Sequence, residues 1–300
     1  MMNRIDFEVL AYLEKNGKHV ASTRRLSDVL CVSNTAVMRS TDELISRQAI
    51  KLLDGYWTIT DIGLEELEPY RVKRCVIMAA GFGSRMLPAT ADRPKPMVSV
   101  NGRRIIETLI DAMVNVGITD ITIIRGYKKE KFDELLPKYP FLKFIDNDDY
   151  SKYNNIASLM LALDLLDGCY LCEADLYIYN PDIITKYQYC TNTLGAYSLE
   201  TDDWCYDMVD GHIANLRKVG QYCYNEYGIS YLSKEDCAKL REDIPDVFYH
   251  EKDGTDAFWE FVPYELRKEH YKFEIRPCKK SDIIEIDNYY ELQQLDPSYK

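Results

Sequence analysis

Features that define several protein classes are missing from this 300-residue sequence. No window approaches the roughly 18 apolar residues that a membrane-spanning helix needs. Charges at Arg4, Asp6 and Glu8 interrupt the apolar core that a secretory signal peptide requires, so we expect a cytoplasmic protein. A positive charge excess is also missing, because 37 Lys and Arg face 49 Asp and Glu and the net charge is -12. General binding to nucleic acids or anionic membranes is therefore not expected.

Glycine, proline and cysteine are too few, or wrongly arranged, for a fibrous or disulfide-bonded protein. The chain has 14 Gly and 11 Pro, which excludes a fibrous or low-complexity composition. Its nine Cys are spread from Cys31 to Cys278, and this odd number is typical of reduced thiols in a cytosolic protein. With 46% hydrophobic residues the sequence can bury a sizeable core, and its length predicts two domains.

Two segments with different patterns support this division. Residues 1–70 are helix-rich, whereas residues 71–300 alternate strand-like apolar runs with amphipathic stretches, which is the pattern of an α/β domain with a parallel sheet. Helical spacing in the first segment predicts three helices, the last two at 22–30 and 33–47. Two short β-prone runs follow around the turn at Asp54–Gly55. This order resembles the small winged helix-turn-helix domains of bacterial regulators.

The winged-helix resemblance implies contact with DNA through the third helix, which the charge of the segment does not favour. The side chains that would enter a major groove are Ser33, Asn34, Thr35 and Arg39. Residues 1–72 contain nine basic and eleven acidic side chains, whereas a surface that contacts phosphates is expected to be basic. Two roles therefore stay open for this segment: DNA contact, or homodimerisation and partner docking.

A turn rich in small residues follows the first strand predicted in the second segment. Small residues let backbone amides approach phosphate oxygens closely, so we expect this turn to bind a nucleotide. It is not a P-loop, because no Gly-Lys-Ser/Thr follows, and the third glycine of a dinucleotide fingerprint is missing. After the strand at 75–78, the turn consists of Ala79, Ala80, Gly81, Phe82, Gly83, Ser84 and Arg85.

Two basic residues make this turn a more specific signal. Arg85 is followed by Pro88 and then by Pro94–Lys95–Pro96. This run resembles the signature G-x-G-[ST]-R…P-K of the nucleotidyltransferases, which attach a nucleoside monophosphate to a phosphorylated substrate. The resemblance implies a Rossmann-like three-layer α/β domain with a mixed, mostly parallel sheet. Arg85 and Lys95 would act catalytically, by offsetting the negative charge that develops on the α-phosphate and on the leaving pyrophosphate.

Carboxylates at two other places are the candidate Mg²⁺ ligands. The predicted strand at 168–171 leads to Asp175, at the sheet edge where open α/β sheets bind ligands. Family resemblance implies that Asp175 binds the metal. Glu285 and Asp287 lie two residues apart, so an extended segment presents both on one face. Asp287 is then expected to complete the Mg²⁺ site with Asp175, with Glu285 in support.

Several later stretches narrow the resemblance to bacterial phosphocholine cytidylyltransferases. The likeness spans residues 73–296, and the matching stretches, in order, are KYNNIASLMLAL, YGISYLSKEDC, DAFWEFVPYEL and SDIIEIDNYYEL. It implies CTP and phosphocholine as substrates, Mg²⁺ as cofactor, and CDP-choline and pyrophosphate as products. Sugar 1-phosphates, phosphoethanolamine and aminoethylphosphonate are alternative acceptors. The alternative without catalysis is a transcriptional regulator that senses a ligand.

Two further residues belong to the predicted nucleotide site. Tyr127 follows the strand predicted at 120–124, where its ring is expected either to pack against a base or to cap the sheet. Asn154 comes just before a predicted amphipathic helix that begins near Ile156, within one of the matching stretches. The resemblance makes Asn154 a candidate nucleotide ligand.

An aromatic cage is predicted for the quaternary ammonium of phosphocholine. Such a cation has no N–H donors, so proteins hold it with aromatic faces and a nearby carboxylate. The sequence has 24 Tyr and 3 Trp, and two of these Trp adjoin acids. The predicted cage consists of Trp204, Tyr231 and Trp259, with Glu260 or Asp203 as the counter-charge. In the alternative interpretation, Tyr231 and Trp259 are packing residues of the core.

Overall fold

The structure of the chain, a computed structural model, describes residues 2–17 and 22–300. The chain divides into two units, Met1–Arg71 with Tyr187–Tyr189, and Val72–Lys186 with Cys190–Lys300. No disulfide bond joins any of the nine cysteines, all of which lie in the described residues. Within the described residues, no helix combines the length and the apolar character needed to cross a bilayer.

Within the described residues, the first unit contains three α-helices, a hairpin, a fourth α-helix and a short 3-10 helix, Glu68–Tyr70. Ser22, Ser33 and Thr60 each accept a hydrogen bond from a first-turn amide, which explains where three of the helices begin. The apolar faces of the helices share one buried core, which includes Leu10 and Leu44. The elements are α1 (Arg4–Asn16), α2 (Thr23–Leu30), α3 (Asn34–Ser46), β1 (Ile50–Leu53), β2 (Tyr56–Ile59) and α4 (Asp61–Leu67).

The residues predicted to contact DNA are exposed at the start of α3. They are Ser33, Asn34, Thr35 and Arg39. Asp42 and Glu43 are exposed on the same helix, so acidic side chains accompany the one basic residue of this group. The winged-helix assignment, and its role in DNA contact or dimerisation, stay predictions.

A buried carboxylate links α1 to the end of α3. Asp6 is fully buried, and its Oδ1 accepts a hydrogen bond from Ser40 Oγ at 2.5 Å. Its Oδ2 accepts a hydrogen bond of 2.8 Å from Nη2 of Arg47, whose side chain is 39% exposed. Removal of the arginine would leave this carboxylate buried without a counter-ion, a situation that costs several kcal/mol when both partners are fully buried.

Arg47→Met should therefore destabilise the first unit by about 2 kcal/mol, since the partial exposure of Arg47 reduces the cost of a fully buried pair. Urea unfolding followed by tryptophan fluorescence measures this in a background with Trp204→Phe and Trp259→Phe, because Trp57 is the single tryptophan of that unit. Arg39→Met removes an exposed arginine from the same region and should change stability by less than about 0.5 kcal/mol. Equal losses in both variants would contradict the role given to Asp6 and Arg47.

A seven-stranded mixed sheet forms the frame of the second unit. The strands of this unit are β3 (Arg74–Ala79), β4 (Ser99–Val100), β5 (Arg103–Arg104), β6 (Asp120–Arg125), β7 (Lys143–Asp146), β8 (Cys169–Glu173), β9 (Leu176–Ile178), β10 (Asn192–Val209), β11 (His212–Leu232), β12 (Glu274–Cys278) and β13 (Ile283–Glu285). Its helices are α5 (Ile105–Asn115), α6 (Asn155–Met160), α7 (Lys234–His250) and α8 (Tyr289–Leu295).

The order across the large sheet is β12-β10-β11-β8-β3-β6-β7, and of these seven strands β11 runs antiparallel to the rest. In β3, Cys75 and Ile77 are buried on one face, while Val76 and Met78 are buried on the other. Continuous burial of this kind is typical of parallel strands covered on both faces. Helix α5 covers one face, and α6 and α7 cover the other. The predicted α/β architecture with a mostly parallel sheet is confirmed.

Two elements of the second unit are irregular. The segment after Tyr127 is a short 3-10 helix, Lys129–Leu135, which follows Lys128 in a left-handed conformation with φ of 48°. Strands β10 and β11 form a hairpin of 18 and 21 residues, which pairs with β12 and β8 only near its inner end. The register of the hairpin shifts between Thr201 and Trp204.

Candidate active site

The small-residue turn after β3 packs directly on the predicted catalytic lysine. Gly83 has φ of 61°, a conformation that favours glycine, and its carbonyl accepts a hydrogen bond from Thr90 Oγ1 at 2.9 Å. A Cβ atom on Gly83 would lie 2.7 Å from Cβ of Lys95, so a larger residue would displace the lysine. Among the other predicted nucleotide ligands in the turn, Ala79 and Ala80 are buried. Gly81 and Ser84 are exposed.

Tyr127 and Asn154 support loops. The ring of Tyr127 lies 5.4 Å from the ring of Phe82, so it packs against the turn after β3. Asn154 caps α6, because its Oδ1 accepts a hydrogen bond from the amide of Asn155 at 2.7 Å. Its Nδ2 donates to the carbonyl of Asp256 at 2.9 Å. The roles of Tyr127 and Asn154 in nucleotide binding stay predictions.

The four residues predicted as catalytic meet in one ion cluster. Nζ of Lys95 lies 2.7 Å from Oδ2 of Asp175 and 3.2 Å from Oδ1 of Asp287. Arg85 binds both oxygens of Asp287 with its two terminal nitrogens, each at 2.9 Å. This bidentate geometry orients Asp287 toward both basic residues.

A short antiparallel pairing brings the C-terminal carboxylates to Asp175. Strand β13 pairs with β9, with Glu285 opposite Leu176, and the amide of Ile286 donates to the carbonyl of Asp175 at 3.2 Å. Carboxylate oxygens of Asp175, Glu285 and Asp287 lie within 4.8 Å of one another. Oxygen ligands from a few carboxylates are what Mg²⁺ prefers in sites that also bind phosphates. This donor set therefore fits the predicted metal.

The charges in the cluster shift its protonation equilibria. Burial raises the pKa of Glu285 well above its usual range, and Asp175 and Asp287 add to the effect. Burial acts on Asp287 in the same sense, but Lys95 and Arg85 outweigh it and lower the pKa of Asp287. Burial disfavours the charged form of Lys95, yet Asp175 and Asp287 outweigh this and raise its pKa. Lys95 thus acts as an internal counter-ion for carboxylates that still lack a full complement of positive charge.

A cavity of about 230 Å³ adjoins the ion cluster. Besides the three clustered carboxylates, its walls carry further acids and several aromatic rings. Lys218 and Arg85 are the basic residues among those that line it. The further acids are Glu173, Asp203, Glu226 and Glu260, and the rings are those of Trp204, Tyr227, Phe258 and Phe261.

The structure does not bring the three predicted cage rings together. Trp204 lines the cavity, but Trp259 is 2% exposed in the core on the α7 face of the sheet. Tyr231 is buried on the opposite face, with its ring 6.1 Å from that of Tyr170. Adjacent residues point in different directions, so Glu260 faces the cavity while Trp259 faces the core. The interpretation of Tyr231 and Trp259 as packing residues describes their positions.

Several polar residues of the cavity are absent from the sequence-based prediction, among them Asn155, Glu173 and Glu226. Asn155 donates from Nδ2 to Glu173 Oε1 at 3.3 Å and to Glu260 Oε2 at 3.2 Å, and its Oδ1 accepts from the amide of Trp259 at 2.8 Å. Asn155 and Glu173 adjoin predicted site residues in sequence, which is a usable signal. Glu226 has no such signal, because the fold of the long hairpin brings it to the cavity.

Comparisons with known proteins identify the family of the chain. Residues 74–189 match the family described as Nucleotidyl transferase. A 2-aminoethylphosphonate cytidylyltransferase of Lancefieldella rimae is 36% identical over 228 residues, which cover 75% of this chain and 92% of the relative. The chain belongs to the nucleotidyl transferase family.

Two further comparisons are with proteins named for a different acceptor. A choline-phosphate cytidylyltransferase of Streptococcus pneumoniae is 31% identical over 237 residues, which cover 76% of this chain and 98% of the relative. The structure of CTP:phosphocholine cytidylyltransferase from the same organism aligns with a TM-score of 0.69 and 28% identity, over 77% of this chain and 100% of that one. The predicted nucleotidyltransferase fold is confirmed, while these relatives differ in the acceptor that they use.

Proposed function

We propose that this chain transfers CMP from CTP to a small phosphonate or phosphate that carries a primary amine, such as 2-aminoethylphosphonate, with release of pyrophosphate. The observation that supports this acceptor is the set of carboxylates in the cavity beside the ion cluster. Glu173, Glu226 and Glu260 line it together with the amide of Asn155. A primary ammonium has three N–H donors, and carboxylate oxygens are strong acceptors for them.

Phosphocholine is the second candidate acceptor, because one side of the same cavity is aromatic. The ring of Phe261 lies 5.7 Å from Trp204 and 5.5 Å from Phe258. Aromatic faces near a carboxylate suit a quaternary ammonium. The carboxylate oxygens of the cavity stabilise bound phosphocholine less than a primary amine, since phosphocholine has no N–H group to donate to them.

The proposed reaction needs no covalent enzyme intermediate. An oxygen of the acceptor phosphonate or phosphate attacks the α-phosphorus of CTP, and the bond to the pyrophosphate oxygen breaks on the opposite side. Lys95 and Arg85 offset the negative charge that develops, and the backbone amides of residues 79–84 hold phosphate oxygens. Asp175 and Asp287, with Glu285 beside them, would hold Mg²⁺, which neutralises triphosphate charge when bound. An ion cluster of this kind favours an enzyme over a regulator that only senses ligand.

Pyrophosphate release by the purified full-length protein, with CTP and Mg²⁺, tests the acceptor. We expect kcat/KM for 2-aminoethylphosphonate to exceed that for phosphocholine at least about tenfold. The primary ammonium donates N–H hydrogen bonds to the carboxylates of the cavity, whereas the trimethylammonium of phosphocholine has no N–H group. Removal of Mg²⁺ with EDTA should stop the reaction. Phosphoethanolamine and glucose 1-phosphate complete the panel. Turnover of glucose 1-phosphate alone, or none with any acceptor, would contradict the proposal.

A further inference from the structure

We propose that Glu226 selects a primary ammonium over a quaternary one, by accepting an N–H donor of the acceptor on the carboxylate oxygen that the protein leaves free. This inference rests on the proposed function, because it assigns a role at the acceptor end of the same cavity. It concerns one residue of β11 that no local sequence signal identifies.

One oxygen of Glu226 is held firmly by the protein. Its Oε1 accepts a hydrogen bond from the amide of Gly228 and another from the hydroxyl of Tyr206 at 3.2 Å. Tyr206 is 1% exposed, and its ring lies 5.1 Å from that of Tyr264 in the core, so packing fixes the position of the hydroxyl. Among the described residues, none donates a hydrogen bond to Oε2 of Glu226. The carboxylate is thus oriented through one oxygen and has the other available at the cavity.

The backbone at Gly228 makes this orientation possible. Gly228 has φ of 52°, in the left-handed region, and a Cβ there would lie 2.6 Å from Cγ of Glu173. Any other residue at this position would be strained and would collide with Glu173. Glycine therefore lets the amide of residue 228 donate to Glu226 while the side chain of Glu173 packs against the same backbone. The carboxylates of Glu226 and Glu173 both line the cavity.

Glu173 and Glu260 differ from Glu226 because one donor bridges the two of them. Nδ2 of Asn155 bridges Glu173 and Glu260, at 3.3 Å and 3.2 Å. Asp203, farther out on the hairpin, accepts a hydrogen bond from the amide of Trp204 at 2.8 Å and also lines the cavity. Glu226 and Asp203 are thus the two candidates for the carboxylate that accepts an N–H donor of the ammonium. Glu226 is the better candidate, because the buried Tyr206 and Gly228 hold it in a fixed orientation.

Among the described residues, no basic side chain forms an ion pair with Glu226, although Lys218 and Arg85 line the same cavity. Burial raises its pKa to about 7, the hydrogen bond from Gly228 counteracts part of this, and the charge of Glu173 adds to it. A bound ammonium supplies the missing positive charge. A primary ammonium also forms a charge-assisted hydrogen bond, which a trimethylammonium cannot form, and such bonds change affinity by about ten- to hundredfold.

Glu226→Gln tests the role, because glutamine has nearly the same size and keeps an oxygen for Gly228 and Tyr206. We expect KM for 2-aminoethylphosphonate to rise about ten- to hundredfold. KM for phosphocholine should change less than about threefold, and KM for CTP should stay unchanged, since neither depends on this N–H acceptor. Glu235→Gln is the matched control, because Glu235 is an 81% exposed glutamate on α7, and it should match the wild type in all three constants.

Tyr206→Phe is a second variant that leaves the glutamate in place. Tyr206 is a positioning residue in this scheme, so its loss should raise KM for 2-aminoethylphosphonate about threefold to tenfold with KM for CTP unchanged. Thermal melting identifies variants that fail to fold. If Glu226→Gln fails to fold, the kinetics of Tyr206→Phe test the role of Glu226. Unchanged selectivity in the folded variants would overturn the role of Glu226.

Other outcomes separate this inference from the proposed function. Loss of amine selectivity in Asp203→Asn, with selectivity retained in Glu226→Gln, would assign the role to Asp203 and overturn the inference. A wild-type preference for phosphocholine would also overturn it, while leaving cytidylyl transfer intact. If the wild type releases no pyrophosphate with any amine-bearing acceptor, the proposed function itself has failed.

Discussion

Asp175→Asn should lower kcat at least about a thousandfold with every acceptor, which corresponds to about 4 kcal/mol of transition-state stabilisation. Asp175 contacts Lys95 at 2.7 Å and has carboxylate oxygens of Glu285 and Asp287 within 4.8 Å. Asparagine keeps the shape and still accepts a hydrogen bond from Lys95, but it removes one negative charge from the proposed Mg²⁺ site. Pyrophosphate release at saturating CTP and acceptor measures the loss.

An aspartate far from the cluster provides the control for this variant. Asp210 is exposed in a turn with φ of 49°, a conformation that asparagine adopts readily, so Asp210→Asn should keep activity within about twofold. Both variants should melt within a few degrees of the wild type. If Asp175→Asn retains a tenth or more of the wild-type kcat, Asp175 is not the metal ligand that we propose.

Lys95→Met should lower kcat/KM for CTP by about a hundred- to thousandfold, because one preorganised positive charge at the reacting phosphates is lost. The same change leaves Asp175 and Asp287 without their shared counter-ion, since Nζ of Lys95 lies within 3.2 Å of both. We therefore expect the variant to melt below the wild type without Mg²⁺ and to gain more from added Mg²⁺ than the wild type does.

Lys252→Met is the matched control, since Lys252 is an exposed lysine of the same unit that does not line the cavity. It should leave kinetics and the effect of Mg²⁺ on melting unchanged. A similar Mg²⁺-induced rise in melting temperature for Lys95→Met and the wild type would show that Lys95 and Mg²⁺ do not neutralise the same carboxylates, those of Asp175 and Asp287.

Features encoded in short stretches of sequence were predictable. The buried run of β3 and the small residues after it indicate a strand followed by a phosphate-binding turn, because both signals are local. The ion cluster joins Lys95 to partners 80 and 192 residues away, which no spacing rule predicts. Resemblance to the nucleotidyltransferases indicated Lys95, Asp175 and Asp287 together, and the structure places them in contact.

The acceptor end of the site was harder to predict, because it depends on which way side chains point in elements of unknown register. Trp259 and Glu260 are neighbours in sequence, yet one is packed in the core and the other lines the cavity. Tyr231 belongs to the inner end of β11, where strand pairing with β8 places it in the core. Glu226 lies five residues earlier in the same strand and lines the cavity. Composition alone cannot separate these positions.

Because the register shifts between Thr201 and Trp204, the number of residues in this part of the hairpin determines which side of the strand Trp204 faces. Side chains alternate between the two sides of a strand, so one residue inserted or deleted there would turn Trp204 away from the cavity without altering any amino acid that contacts a ligand. Homologues with identical residues but a one-residue gap at this point should therefore be grouped separately when acceptor preference is inferred from alignments.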